Sequence, residues 1–212
     1  MYVIKTDIKQ IDKIFHIADV HIRNVKRHKE YKIVFKRLYS YIKKNTTTNS
    51  VIYVAGDIVH AKTDMSPELV DMVSDFFRSL ADISPTIVIT GNHDCNLNNS
   101  DRLDALYPIV KAIKHTDLHY LKDTGIYRFA DVDFNVMSVV DKPINFIKAD
   151  KLTADTKIAL HHGAVNNAST DAGFLLQNDH VTTNIFDGHD MTLLGDIHRM
   201  QYLDNDKTIA YA

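Results

Sequence analysis

"SVIYVAGDIVH" (Ser50–His60) runs from an unbroken apolar stretch into Gly-Asp and closes on a histidine. Val51, Ile52, Tyr53, Val54 and Ala55 have the length and β-branched content of a strand buried on both faces. Open α/β sheets bind ligands beyond the carboxyl ends of such strands. Gly56 permits a sharp turn there, and Asp57 stands at the strand end. A second stretch, "LLGDIHRM" (Leu193–Met200), repeats the pattern with Asp196 and His198.

Outward from these two stretches the chain alternates strands and helices. "KIFHIAD" (13–19) reads as a strand with polar residues at its end. Over 28–44, Tyr31, Val34, Phe35, Leu38, Tyr39 and Ile42 recur at helical spacing, which predicts one apolar helix face. "SPEL" (66–69) supplies a Ser cap, a Pro at the first helical position and an early Glu. The helix it opens, over 66–82, should bury Leu69, Val70, Val73, Phe76, Phe77 and Leu80. "PTIVITGNHD" (85–94) is a strand then a loop, and 101–114 has helical character with Pro108 expected to break or kink it. From about residue 118, "LHYL", "GIYRFA", "VDFNVMSVV", "KIALHHG", "MTLLGD" and "TIAYA" are short strands. The polar stretches 141–156 and 163–190 read as irregular, and the second is long enough to mark a functional loop region. The pattern predicts a single α/β domain over 1–212, a β-sandwich with helices on its outer faces in αββα layers.

Five strand ends carry potential metal ligands: Asp19 and His21; Asp57, with His60 behind it; Asn92, His93 and Asp94; His161 and His162; Asp196 and His198. Each cluster alone has a bland reading, since Gly-Asp after a strand is most often a cap and "GNHD" a plain turn. Their joint placement at strand ends is what the bland reading does not produce. Carboxylate, imidazole and amide oxygen together suit Mn, Fe, Zn or Mg. Asp19, His21, Asp57, Asn92, His161, Asp196 and His198 are too many for one ion. They fit two ions sharing a carboxylate, about 3.5–4 Å apart.

Bulk properties narrow the rest. The formal net charge is −2, so no overall basic field draws nucleic acid, and weak DNA affinity is expected of this chain alone. Cys95 is the only cysteine, which excludes an intrachain disulfide and a Cys-rich zinc site. No apolar run reaches the roughly 20 residues of a membrane span, and "MYVIKTDIKQ" lacks a signal-peptide core. The expectation is an intracellular protein with no membrane partner, cytoplasmic in a bacterial or phage-infected cell or nuclear in a eukaryote.

The motif series D-x-H, G-D, G-N-H-D, H and G-D-x-H resembles the signature of calcineurin-like metallophosphoesterases. More narrowly, it resembles the SbcD-type nuclease subunit of double-strand-break repair complexes. "HIADVHI", "VAGDIVHAK", "TGNHD", "LKDTGIY", "LHHGAV" and "LLGDIHRMQYL" carry the resemblance over residues 16 to 203. It implies that Asp19, His21, Asp57 and His198 hold one metal and that Asp57, Asn92, His161 and Asp196 hold the other. Asp57 would bridge the two. His93 would be the acid or transition-state stabiliser, with Asp94 able to orient it or to cap the loop. His60 would contact phosphate, and His162 would stand behind the ligands. The implied cofactors are two divalent ions, Mn2+ first and Mg2+ second. The implied activity is exonuclease on duplex DNA ends and endonuclease on single strands and hairpins, in break processing or recombination. The implied partners are an SMC-like ATPase of the SbcC type and a second copy of the chain. A small-substrate phosphatase and a non-catalytic scaffold are the competing readings. Two departures stand out: cellular members usually carry His where this chain has Asp196, a variant that resembles phage and viral members, and the family continues past "IAYA" into a DNA-capping region, so a nuclease domain without it is expected.

Overall fold

A computed structural model describes residues 1–99, 101–177 and 181–212. In chain order it contains β1 (Tyr2–Ile4), β2 (Lys13–Ile17), α1 (His28–Asn45), β3 (Ser50–Val54), α2 (Pro67–Ala81), β4 (Thr86–Val88) and α3 (Tyr107–Ile113). There follow β5 (Leu118–Tyr120), β6 (Gly125–Phe129), β7 (Val132–Met137), β8 (Thr156–His162), β9 (Met191–Gly195), β10 (Gln201–Tyr202) and β11 (Ile209–Tyr211). The strand at Ser50–Val54 is internal to a four-stranded parallel sheet of order β2-β3-β4-β5. The other strands form a seven-stranded mixed sheet, β1-β6-β7-β8-β9-β11-β10.

Alternation along β3 builds two cores at once. Ile52 and Val54 face the helices and join Phe76, Phe77 and Leu80 of α2 and Phe35 and Ile42 of α1. Val51, Tyr53 and Ala55 face the large sheet and meet Phe129, Phe134, Val136, Ile158 and Leu160. Full burial of each of these aromatic or aliphatic side chains contributes roughly 1.5–3 kcal/mol. The far face of the large sheet packs a third cluster, with Met137, Ala159, Leu194 and Tyr211 under Val165, Ala168 and Phe186.

The sheets are stacked and flanked by helices, as the sequence pattern predicts. Among the described residues three α-helices lie on the small sheet, whereas the cover of the large sheet includes short 3-10 turns at Pro143–Asn145, Ala149–Lys151 and Thr183–Phe186. These turns fall in the stretches read as irregular; residues 178–180 of the second stretch lie outside the described residues. α2 begins as expected, with Ser66 Oγ accepting the Leu69 N–H at 3.3 Å. Pro108 does not break a helix; it stands in the first turn of α3, where its missing N–H costs no bond, and 101–106 is turn. Val34 and Val70 were expected in the core but are 55% and 37% exposed. Each lies at the margin of an apolar stripe narrower than the sequence count implies. β1 and β10, three and two residues long, carry too little pattern to be read.

Candidate metal centre

The ends of β2 and β3 continue side by side past the regular ladder. Asp19 N–H donates to Gly56 O at 3.3 Å, His21 N–H to Asp57 O at 2.9 Å and Ile22 N–H to Ile58 O at 2.8 Å. Asp19, His21, Asp57 and Asp196 adopt positive φ values of 54°, 47°, 53° and 98°. Four non-glycine residues in the left-handed region, all at strand ends, is the clustering of backbone strain that functional sites show. Asp and His tolerate it better than bulky residues. Gly91 makes the close approach possible, because a Cβ there would collide with the Asp57 carboxylate.

Asp57 sits at the middle. Its Oδ1 accepts the His93 N–H at 2.9 Å and lies 3.4 Å from His162 Nε2, while its Oδ2 lies 3.5 Å from His21 Nε2. One carboxylate therefore reaches both halves of the cluster. On one side His21 Nε2 and His198 Nε2 face each other at 3.0 Å, beside the Asp19 carboxylate. On the other, Asn92 Oδ1 lies 3.0 Å and Asp196 Oδ1 3.8 Å from His162 Nε2. Asp19 also joins the two sheets, since both its oxygens accept the Asp196 N–H, at 3.0 and 3.2 Å.

The β8 histidines fall the other way round from the expectation. His162 shares a face with Ile158 and Leu160, looks toward the small sheet and enters the cluster. His161 shares a face with Ala159, and its ring lies against Phe146 and Phe186 on the far side of the large sheet. His161 is thus not brought to the site, and His162 occupies the place expected of it. The physical reason is strand parity. Both faces of "KIALHH" are apolar, so alternation of polarity does not reveal the phase; the larger residues, Ile158 and Leu160, mark the inter-sheet face.

Asp94 is also elsewhere than expected. It is fully buried, with Oδ1 accepting the N–H groups of Ile58 and Val59 at 2.9 and 3.0 Å and Oδ2 that of Gly91 at 2.9 Å. It clamps the "GDIVH" loop to the "GNHD" loop and does not touch the His93 ring. Burial and the neighbouring Asp57 charge push its carboxyl up to about 7, against the pull of these N–H groups. The His60 carbonyl orients His93 instead, lying 2.7 Å from Nδ1. A carbonyl only accepts, so Nδ1 bears a hydrogen. The exposed His60 ring stacks 5.8 Å from that of His93, and the His21 ring lies edge-on to it at 4.7 Å.

Several residues within the quoted motifs and α1 have supporting roles that the sequence does not disclose. Lys62 Nζ donates to Asn92 O at 3.1 Å, and Tyr31 OH to His21 O at 2.6 Å. Gln201 pairs with both Ser169 N–H and Ser169 O at 2.8 Å, while Arg199 donates to Ser169 Oγ at 2.7 Å. The loop containing Ser169 is thereby tied to the segment that carries His198. A Lys two residues past a site histidine, as Lys62 is, was the one signal available.

The donor atoms fit divalent cations. His162 Nδ1 donates to Ala55 O at 2.6 Å, which leaves Nε2 to face Asp57 and Asn92. Asn92 Oδ1 and the Asp57 carboxylate converge on the same point, so acceptors face acceptors. Turning the Asn92 amide over, to donate to Asp57 at 3.0 Å, relieves this; so does a proton on His162 Nε2, or a cation in that proton's place. Burial resists a proton on His162, yet hydrogen bonding to Asp57 and the Asp57 charge hold its pKa up to about 9. A cation would take that proton's place. Burial lowers His21 to about 4 despite Asp57, which keeps the imidazole in its ligating form. Asp19, His21 and His198 gather at one point and Asp19, Asp57 and His162 at a second, with Asn92 and Asp196 beside His162; His21, His60 and His93 form a third cluster.

Comparison with known proteins agrees with this chemistry. Residues 12–200 match the family model described as calcineurin-like phosphoesterase. A protein of Acanthamoeba polyphaga mimivirus, described as uncharacterized protein R555, is 47% identical over 220 residues. That match takes in 98% of this chain but 16% of the relative, so the chain spans about a sixth of that protein's length. A solved structure, the nuclease MPE of Pseudomonas putida, is similar at 17% identity and a TM-score of 0.35, covering 68% of this chain and 57% of that one. That likeness is too slight to carry weight. With the family model spanning nearly the whole chain, this chain belongs to the calcineurin-like phosphoesterases, and its strand ends gather donor groups suited to metal ions.

Proposed function

We propose that the chain is a two-metal DNA nuclease of the SbcD type, cutting duplex ends as an exonuclease and single strands or hairpins as an endonuclease. The observation that carries the two-ion part is the convergence of His162 Nε2, Asn92 Oδ1 and Asp57 Oδ1 on one point, with Asp57 Oδ2 turned to His21. The nuclease part rests on the sequence resemblance, including His60 and the "GDIHRMQ" block. Mn2+ is the proposed ion, because three carboxylates and an amide oxygen among the imidazoles favour a hard or borderline metal.

Divalent ions held by Asp19, His21, Asp57, His162 and their neighbours would make water acidic enough to attack phosphorus near neutral pH and would offset charge on the phosphoryl oxygens. The chain's own groups complete the reaction. Water oxygen bonds to phosphorus and the bond to the leaving ester oxygen breaks. His93, in the form that carries hydrogen on Nε2 as well as on the Nδ1 bound to His60 O, would give that oxygen the Nε2 proton, while the proton of the attacking water passes to solvent. His60, exposed beside it, contacts the phosphate. An SMC-like ATPase and a second copy of the chain are the partners of this proposal.

The test compares Mn2+-dependent cleavage of single-stranded DNA with turnover of an aryl phosphate monoester. DNA cleavage that stops on chelation supports the nuclease. Turnover of the aryl ester with intact DNA overturns it in favour of a small-substrate phosphatase.

A further inference from the structure

The net charge of −2 conceals a segregation. Residues 23–44 carry nine lysines and arginines against Glu30 alone, a formal +8, while the rest of the chain carries sixteen against twenty-six acids, a formal −10. This basic segment starts at Arg23, two residues past His21, and continues along α1. Phe35 and Ile42 fix the buried face of α1. At about 100° per residue, Lys29, Lys32, Lys36, Arg37, Lys43 and Lys44 then fall together on the exposed side. Among the described residues, none of these six forms an ion pair within 4.0 Å; the one pair in the segment joins Arg27 to Glu30 at 2.5 Å.

Lys32, Lys36 and Lys43 line a groove of about 830 Å³ whose opposite wall bears Glu68, Asp71 and Asp75 of α2. These acids soften the field in the groove. They leave Lys29, Arg37 and Lys44 on the outward face. A helix of 18 residues is roughly 27 Å long. That spans about eight base pairs of duplex at roughly 3.4 Å each.

We infer that the outward face of α1, continued through Arg23 and Lys26, is a track for the nucleic-acid backbone leading to the metal centre. The inference rests on the nuclease reading and adds where the phosphates outside the cut are held. Both nucleic acid and an anionic membrane match the charge; continuity with the His21 loop favours nucleic acid. Val34 and Tyr41 are exposed along one flank of α1, and Ile33, also exposed, lies among the outward Lys29, Arg37 and Lys44. A patch that neutralises Z phosphates gives binding whose logarithm falls with log salt at about 0.9Z.

The experiment measures anisotropy of a labelled 20-base-pair duplex in EDTA over a KCl series. It uses the wild-type chain, the triple variant Lys29→Glu/Arg37→Glu/Lys44→Glu, and a control reversing Lys111, Lys114 and Lys142. The expected result is a salt slope shallower by about 2 to 3 in the triple variant alone, with affinity at least about tenfold weaker at low salt. Turnover of bis-p-nitrophenyl phosphate with Mn2+ is expected to be unchanged. The three single variants, each lowering the slope by about one, serve if the triple variant does not fold. An unchanged slope and affinity in a wild-type chain that binds and cuts DNA overturns the track and leaves the nuclease standing. A wild-type chain that turns over the diester but neither binds nor cuts DNA overturns the nuclease reading first. Salt-sensitive binding to phosphatidylserine vesicles without DNA binding assigns the face to a membrane. Loss of a sedimenting dimer in parallel with DNA binding assigns it to a second copy of the chain. Either outcome overturns the track.

Discussion

His162 Nε2 lies 3.4 Å from Asp57 Oδ1 and so joins the large sheet to the small one at their carboxyl ends. The contact is possible because Leu160 and His162 face inward from β8 while His161 faces out. The metal centre therefore depends on the relative position of two separately built sheets, with Asp57 from one and His162, Asp196 and His198 from the other.

The two adjacent histidines should behave oppositely. His162→Ala is expected to cost one bound ion and most activity. His161→Ala should retain both ions and lose stability by about 1–3 kcal/mol, because it empties a packed site between Phe146 and Phe186. Titration calorimetry with Mn2+, alongside urea unfolding, separates them. Loss of an ion from the His161 variant alone would reverse the assignment.

Asp57 faces ligands of both ions, so its removal should be felt at both. Asp57→Ala is expected to abolish tight binding of the second ion, weaken the first and lower diester turnover by about 10²–10³-fold or more. In the wild-type chain, added Mn2+ should raise the melting temperature; in the variant it should not. An equal Mn2+ shift in both would show that Asp57 is not shared.

Asp196 adds a third carboxylate to Asp19 and Asp57. Asp196→Ala should lower metal affinity about 10–100-fold. Asp196→His should restore binding while shifting preference from Mn2+ toward Zn2+. Competition between the two ions, read by calorimetry, checks this, and a preference unmoved by imidazole would place Asp196 outside the ligand set.

Acid should weaken the fold through histidines buried neutral. Burial holds both His16 and His161 at about 4, against an ordinary 6.5. Between those values the unfolded chain binds more protons. Stability is therefore full above about 6.5 and falls as pH drops toward 4, by up to roughly 3 kcal/mol for each group. His161→Phe keeps a ring between Phe146 and Phe186 and removes one titrating group. The difference in unfolding free energy between pH 7 and 4.5, measured in EDTA, should shrink by roughly 2–3 kcal/mol in that variant. An unchanged difference would mean that His161 is not buried neutral.

Much of this was readable because strand ends announce themselves. "SVIYVAGD" and "MTLLGD" are apolar runs that stop at Gly-Asp, and Asp57 and Asp196 stand where the runs stop. Ser66 and Pro67 mark the start of α2 just as plainly. What the residues do not disclose is phase and partnership. "LHH" has apolar neighbours on both faces, so the choice between His161 and His162 needs the opposite sheet. Asp94 looks like a neighbour of His93, but its three N–H donors lie at Ile58, Val59 and Gly91, two of them brought in by folding. The basic face of α1 is legible in the letters but disappears when charge is averaged over the chain.

The most direct test of the two-ion centre is a crystal structure of the chain soaked in Mn2+, with anomalous differences measured at the manganese edge. The account predicts two peaks about 3.5–4 Å apart, with Asp57 ligating both, His21 and His198 on one, and His162 and Asp196 on the other. A single peak, or a second ion held by His161, would contradict it.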